Sequence, residues 1–375
     1  MLTRLEIDNF RCFEGFVWEP AKKQLILGAN GSGKSSMMDA LTNLRRFVAG
    51  DAKVEELFPL RERTRWLNQP EQKFSLQVTL DQADYTYTLF IGTTGDPPKP
   101  TIKTETLSCD GAQLVEFERG LVTLSQPGWL EPLPSGVLQS SYRLDRSRSA
   151  ISSFGDGSAT DFAYRFRRWM SGLFCFRLNP FGMDSRAEGE DAMPKLDLSN
   201  FAAWYRSLYQ SHPKRAQALF KDLEETLDGF DSIVLQDAAE GVRLLNVLFQ
   251  REGEKPVSFR FTELSEGQRC LICLYTILHF VVVEGRTVVI DEPENFVSLR
   301  EIQPWLSTAD DVVDDTRGQL ILMSHHPELI DQWAPPYGVR FLRDQAGPVY
   351  VKRWTGVPES SLSAAQLVAR GWEDD

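Results

Sequence analysis

The sequence predicts an α/β fold built around a buried sheet. Three observations predict it. An apolar strand, Gln24-Leu25-Ile26-Leu27, runs straight into a glycine-rich turn; a second, Thr287-Val288-Val289-Ile290, ends on two carboxylates; a third, Leu320 to Met323, is apolar throughout. Strands buried on both faces read as continuous apolar runs of this kind, whereas a strand with one wet face alternates.

The remaining elements follow in chain order. Residues 2–8 alternate apolar and polar, as a half-buried strand does, and Gly15 to Trp18 reads as a second strand. Ser35 to Phe47 has helical spacing, with Met38, Leu41, Leu44 and Phe47 on one face. Phe74–Leu80 and Tyr85–Ile91 form a strand pair joined around Asp81-Gln82-Ala83-Asp84, and Thr101 to Leu124 continues in shorter strands with a turn at Asp110-Gly111. Gly/Pro-rich breaks at Gly92–Pro100 and Gln126–Gly136 read as loops. The texture then changes. Ser147–Thr160 is small and polar, Phe162–Phe176 basic and aromatic, Asp184–Met193 acidic and expected to be flexible, and Leu198–Leu227 helical with an interruption at His212-Pro213. Strands return at Ile233–Leu235, Val242–Leu248 and Val257–Phe261, a helix covers Glu266 to Val283, and Val339–Leu342 and Val349–Arg353 close the sheet. The expected organisation is an N-terminal lobe over 1–145, a mainly helical insertion or lid over 146–230, and a C-terminal lobe over 231–375.

With 375 residues, the chain is long enough for two to three structural units at about 150 residues per domain. Hydrophobic residues at 42% and charged residues at 25% exclude a wholly disordered chain and permit a sizeable core. Lys plus Arg total 41 against 53 Asp plus Glu, a net charge of −12, which argues against coating nucleic acid over the whole surface but leaves a local basic patch open. Five scattered cysteines make no disulfide scaffold. Cys270-Leu271-Ile272-Cys273 has CxxC spacing without a second pair, and reads as a buried helical pair rather than a metal or redox site. The N-terminus lacks the apolar core of a signal peptide, and Cys270–Val283 is too short to span a bilayer. A cytoplasmic protein with no membrane partner is expected.

Gly28-Ala29-Asn30-Gly31-Ser32-Gly33-Lys34-Ser35 fits the phosphate-loop pattern GxxxxGK[ST] in full, between an apolar strand and a helix. Glycines let backbone N–H groups converge on phosphates, and a helix N-terminus favours the anion. Lys34 would reach the β- and γ-phosphates of ATP, Ser35 would ligate Mg²⁺, and Ser36 continues the loop into the first helical turn. At the tip of the second apolar strand, Asp291 suits a Mg²⁺ partner and Glu292 the general base that polarises an attacking water. Leu264-Ser265-Glu266-Gly267-Gln268 opens a helix. Ser265 and Gln268 can form a capping box, and the same helix start is an anion site, so the two readings are compatible. Leu320 to Ser324 is followed by His325-His326-Pro327, an apolar strand running into histidine.

Taken in this order, the motifs resemble ABC-type ATPases of the RecF/SMC/OLD-like group, which also appear as bacterial AAA family ATPases. Leu264–Gln268 is similar to the LSGGQ signature, with Glu266 in place of the first glycine, and Asn9-Phe10-Arg11-Cys12-Phe13 after Leu5-Glu6-Ile7 resembles the NFRxF opening of that group. The likeness covers about residues 1–45 and 257–335. It implies a P-loop NTPase fold, an ABC-type ATPase head with a mixed β-sheet lobe and a helical insertion. It further implies that Ser265, Gly267 and Gln268 complete the ATP site of a partner subunit. His325 would be the switch histidine at the γ-phosphate, with His326 the second candidate, and Arg11 would either approach the phosphates or remain solvated. Gln139 is a candidate for the glutamine that contacts Mg²⁺, and Pro293–Leu299 occupies the D-loop place without its usual wording.

Gly28 and Ser265 lie 237 residues apart, wider than in a transporter nucleotide-binding domain; the gap holds no long coiled coil or CxxC hook, and no nuclease domain is expected after residue 355. The implied function is an ATP-hydrolysing head that dimerises with itself around ATP, a switch or motor subunit in a DNA-repair-like or anti-phage defence system, acting on DNA or on a partner effector such as a nuclease or toxin. The alternatives are a slow ATP-sensing scaffold and a transporter ATPase subunit, and the spacing and the Asn9–Phe13 opening speak against the latter. Tyr164-Arg165-Phe166-Arg167-Arg168-Trp169, with Arg143, Arg146 and Arg148, could contact nucleic acid through phosphates and stacking. An amphipathic helix packing its aromatics inward is the equal alternative.

Overall fold

The computed structural model describes residues 1–125, 139–154, 162–355 and 362–371, arranged as two compact units. The loop expected at Gln126–Gly136, residues 155–160 of the small polar stretch and the side chain of Gln139 lie outside the described residues.

The first unit comprises residues 1–21, 27–174 and 339–353. Its strands are β1 (Leu2–Asp8), β2 (Phe16–Trp18), β4 (Gln72–Leu80), β5 (Ala83–Thr94), β6 (Lys99–Cys109), β7 (Ala112–Glu118), β8 (Leu121–Ser125) and β9 (Gln139–Arg143), the intervening β3 (Lys23–Leu27) belonging mostly to the second unit. They form one antiparallel sheet in the order β2-β1-β4-β5-β6-β7-β8-β9. One face is buried: Tyr85, Tyr87, Leu89 and Ile91 alternate along β5 with more accessible residues. Most of the loop expected at Gly92–Pro100 is strand, because Thr93 pairs with Pro100 and Thr94 with Lys99.

Two helices, α1 (Lys34–Ala49) and α3 (Phe162–Ser171), pack on each other, with the short α2 (Val54–Leu57) beside them. Helix α3 settles the orientation of the basic aromatic segment. Phe166 and Trp169 are buried, and Phe166 stacks at 5.3 Å on Tyr87 and 6.2 Å on Tyr85. Phe166 and Trp169 are core, so base stacking is not open to them, while Arg167 donates to the Phe154 and Ala49 carbonyls.

The second unit comprises residues 22–26, 175–338 and 354–375. At its centre β3 (Lys23–Leu27), β16 (Gln319–Met323) and β15 (Thr287–Asp291) pair in parallel, buried along their lengths, and β10 (Leu173–Phe176) neighbours β15. A second, antiparallel sheet holds β11 (Arg186–Ala187), β12 (Phe230–Ala239), β13 (Val242–Phe249) and β14 (Val257–Arg260), in the order β11-β13-β12 with β14 also on β13. Helices α4 (Phe201–Ser211), α5 (Arg215–Thr226), α6 (Glu266–Phe280), α7 (Leu299–Asp315), α8 (Pro327–Tyr337) and α9 (Ala364–Arg370) complete it.

Several expectations are corrected. Segment 146–230 is no unit of its own: α3 packs on α1 and β7, whereas α4 and α5 pack on α6, so the chain divides at residues 174 and 175. The acidic stretch 184–193 carries β11, whose Arg186 pairs with Leu244, and Ser185 and Ala187 are buried. The stretch Glu266–Glu284, wider than the apolar run Cys270–Val283, is long and apolar enough by composition to cross a membrane, yet 78% of an 18-residue window of it is buried inside the fold. It is a core helix, contacted by α4, α5 and α7. Cys270 and Cys273 lie buried on it as free thiols.

Candidate nucleotide-binding site

In the parallel sheet Ile26 stands opposite Met323, and Met323 opposite Asp291. Strands β3, β16 and β15 therefore end at one edge, and the chain leaves that edge through Leu27 directly into Gly28. The loop demands its glycines. Gly28 has φ +152°, and a Cβ there would lie 2.5 Å from the Phe341 carbonyl oxygen and 2.6 Å from Ser32 Oγ; Gly33 has φ +97°, and a Cβ would meet Val349 Cγ2 at 2.9 Å. Gly31, Ala29 and Asn30 are open, and nothing lies within 4 Å of a Cβ built on Gly31. Lys34 is buried and folds back, its ammonium donating to the carbonyls of Gly28 and Ala29.

Helix α1 begins at Gly33 with no side-chain cap and no acidic residue in its first turn. Ser32 Oγ is buried without a hydrogen-bond partner among the described residues, Ser35 is exposed and Ser36 is half-buried. An uncapped helix start, an orphaned hydroxyl and a lysine resting on its own loop fit a phosphate chain.

The carboxylates of the second unit converge at the tip of β15. Asp291 is buried, and its Oδ2 accepts from Arg177 Nε and Nη2 at 2.7 Å each. Glu292 adopts φ +50° and its N–H donates to the Met323 carbonyl at 2.8 Å, which turns the side chain out of strand register. Burial, reinforced by the neighbouring Glu294 carboxylate, pushes the Glu292 carboxyl up to about 7, while His325 pulls it down.

His325 Nε2 lies 3.8 Å from Glu292 Oε1. The two histidines divide. His326 caps α8, its Nδ1 accepting from Glu328 N at 3.3 Å, so His325 is the one that faces Glu292. Ser324 Oγ accepts from His326 N at 2.9 Å and donates to buried Glu294. The hard oxygens of Asp291 suit Mg²⁺ in type, with Arg177 held on one of them. Bound Mg²⁺ would neutralise charge on the phosphate oxygens.

Of the readings of Leu264–Gln268, the structure shows the capping box. Ser265 Oγ accepts from Gln268 N at 3.2 Å, and Gln268 Oε1 accepts from Ser265 N at 3.1 Å, a reciprocal capping box on an exposed helix start. Gly267 is required by its neighbour: a Cβ there would lie 2.6 Å from the Phe296 carbonyl oxygen. The loop after β15 thus presses directly on the first turn of α6.

Arg11 is placed differently from the expectation that it approaches phosphates. Its guanidinium pairs with Asp39 on α1 and with Glu62, and its N–H donates to the Glu62 carbonyl at 2.7 Å. It ties the turn after β1 to α1, and a phosphate contact would require it to leave both carboxylates. Gln139 is the first residue of β9.

Sequence reasoning assigned no role to Arg177, Glu294 or Ser324. Arg177 has no local signal, since its partner is over a hundred residues away. Glu294 could have been found as the third carboxylate of the run, three positions beyond Asp291.

A glycine-rich loop between a buried parallel strand and a helix defines a P-loop nucleotide-binding ATPase fold. The chain belongs to the family described as “AAA domain, putative AbiEii toxin, Type IV TA system”, whose model matches residues 25–331, and a further AAA-domain model matches residues 4–44. Among solved structures it is similar to an SMC head bound to the C-winged helix domain of ScpA (10% identity, TM-score 0.55, covering 94% of this chain and 98% of that one). It is also similar to the SMC head domain from Thermotoga maritima (11%, TM-score 0.51, 95% and 99%). A third is an Smc head with an extended coiled coil bound to the C-terminal domain of ScpA derived from Pyrococcus furiosus (10%, TM-score 0.50, 94% and 96%). At these identities the likeness is one of fold, that of an SMC head domain. No curated protein matches the chain.

Proposed function

We propose that the chain is an ATP-hydrolysing ABC-type head that closes as a two-fold dimer around ATP and Mg²⁺. It works as a cytoplasmic switch subunit of a DNA-repair-like or anti-phage defence assembly, acting on DNA or on an effector such as a nuclease or toxin. The observation that carries hydrolysis is Glu292, turned out at the tip of β15 beside Asp291 and facing His325 at 3.8 Å. A carboxyl held up to about 7 is poised near neutral pH to take a proton from an attacking water. Gly28–Ser36 would hold the phosphates, with Lys34 moving from its own carbonyls to the β- and γ-oxygens. Ser35 and Asp291 would hold the metal. Ser265, Gly267 and Gln268 present an exposed helix start, which supports their completing the site of a facing copy across an isologous interface. The toxin named in the family description favours the defence setting, and the ScpA domains bound to similar heads favour a protein partner.

Glu292→Gln tests the reading. The amide keeps the shape but cannot accept the proton, so ATP binding should persist while turnover falls roughly 10²–10⁴-fold. The variant should also accumulate as a dimer by light scattering in ATP. Turnover at the wild-type rate would remove Glu292 from the role of base.

A further inference from the structure

Arg177 sits on the carboxylate that the proposed site gives to the metal. Both Nε and Nη2 lie 2.7 Å from Asp291 Oδ2, and the Asp291 side chain is 10% exposed against 46% for Arg177. Exposed ion pairs contribute little, but this one neutralises a buried charge and its cation is held in place. Arg177 N donates to the Leu196 carbonyl at 2.8 Å, and Asn179 N to the Asp197 carbonyl at 3.2 Å. Three residues on, the Pro180 carbonyl accepts from Arg269 Nη1 at 2.6 Å, and Met183 Sδ lies 3.8 Å from Cys273 Sγ, both partners on α6. Phe181 meets Phe296 edge-on at 5.5 Å. The segment 177–183 is thereby strapped to the signature helix and to the loop after β15, with its guanidinium delivered to the strand tip.

A guanidinium and a divalent cation are alternative counter-ions for one buried carboxylate, and two positive charges on the same group repel. We infer that Arg177 is the resident counter-ion of Asp291, which Mg²⁺ displaces on entry, so that Arg177 sets the Mg²⁺ concentration at which nucleotide loads. The inference rests on the reading of Asp291 as the Mg²⁺ residue.

The experiment follows binding of a fluorescent ATP analogue to the full chain across a Mg²⁺ titration, together with melting in Mg²⁺ alone. Arg177→Met keeps length and removes charge; its Mg²⁺ midpoint should fall by about tenfold, and Mg²⁺ alone should raise its melting temperature more than it does for wild type. Arg177→Lys keeps a point charge without the two-nitrogen fork, so its midpoint should fall part of the way, which preserves the test if the methionine variant does not fold. An unchanged midpoint in whichever variant folds overturns the inference. So does a loss of nucleotide affinity in the absence of Mg²⁺ with the midpoint unmoved, which would assign Arg177 to the phosphates. Asp291→Asn separates the two levels. A raised midpoint there with no effect at Arg177 leaves the site reading standing and removes the counter-ion role, whereas a wild-type midpoint there removes the site reading itself.

Discussion

Glu105 and Glu292 show how partners, rather than burial alone, decide what a shifted carboxyl is for. Glu105 lies inside the first unit, fully buried in β6, where Tyr87 Oη donates at 2.9 Å, Ser149 Oγ at 2.5 Å and Ala150 N at 2.6 Å. Burial pushes it up to about 7 against the pull of those three donors. Its hydrogen bonds join β6 to the turn at residues 149–151, a structural task, while Glu292 faces a histidine at a strand tip. A carboxyl raised on folding holds its proton more tightly in the native state, so its stabilising contribution is complete below the unfolded value near 4.5 and is lost as pH rises through about 7. Glu105→Gln should flatten that decline in denaturant midpoint. Above pH 7 it should exceed wild type by roughly 1–3 kcal/mol. An unaltered pH slope would place the linkage in other groups. Strand alternation puts Glu105 in phase with buried Leu107 and Cys109, so its burial was legible in the sequence; its partners were not.

At the scale of elements, the start of α6 is a wedge between its own cap and the loop that follows β15. Ser265 closes the cap, and Gly267 admits the Phe296 carbonyl, while Phe296 itself is held at φ +72°, an unfavourable conformation for an aromatic residue. Gly267→Ala is compatible with a helix but not with this contact. It should push residues 293–298 off α6 at a cost of about 1–3 kcal/mol and lower ATPase activity, read by chemical denaturation beside initial rates. Wild-type stability would show that the loop yields freely. Helices α1 and α6 were legible from their periodic apolar residues, and α6 also from its capping pair. Helix α7 was not, because Pro304 inside it argues against a helix, whereas burial of Ile302, Trp305, Leu306, Ala309 and Val313 offsets the lost hydrogen bond.

At the scale of the whole molecule, the proposed site belongs to two copies at once. Lys34→Ala should fold yet lose ATP binding, and Ser265→Arg should bind ATP yet neither dimerise nor hydrolyse, since a bulky cation would fill the niche offered to the γ-phosphate. A mixed dimer carries one site with both lesions and one with neither. Activity should therefore return when the two inactive proteins are combined, read as initial ATPase rate across mixing ratios with mass by light scattering. Full activity of Ser265→Arg as a strict monomer would sink the composite site. By itself the sequence determined the fold class, the glycine-rich loop after β3, the carboxylates at the tip of β15 and the capped start of α6. Each is a contiguous run whose chemistry and geometry are local: a strand, a turn, a helix start. Only the tertiary structure decided that Arg11 is taken by Asp39 and Glu62, that His325 rather than His326 faces Glu292, that Phe166 and Trp169 of α3 are core, and that Arg177 neutralises Asp291. Those outcomes turn on which charges and rings meet across long stretches of chain, and a buried charge takes whichever counter-ion folding brings within reach.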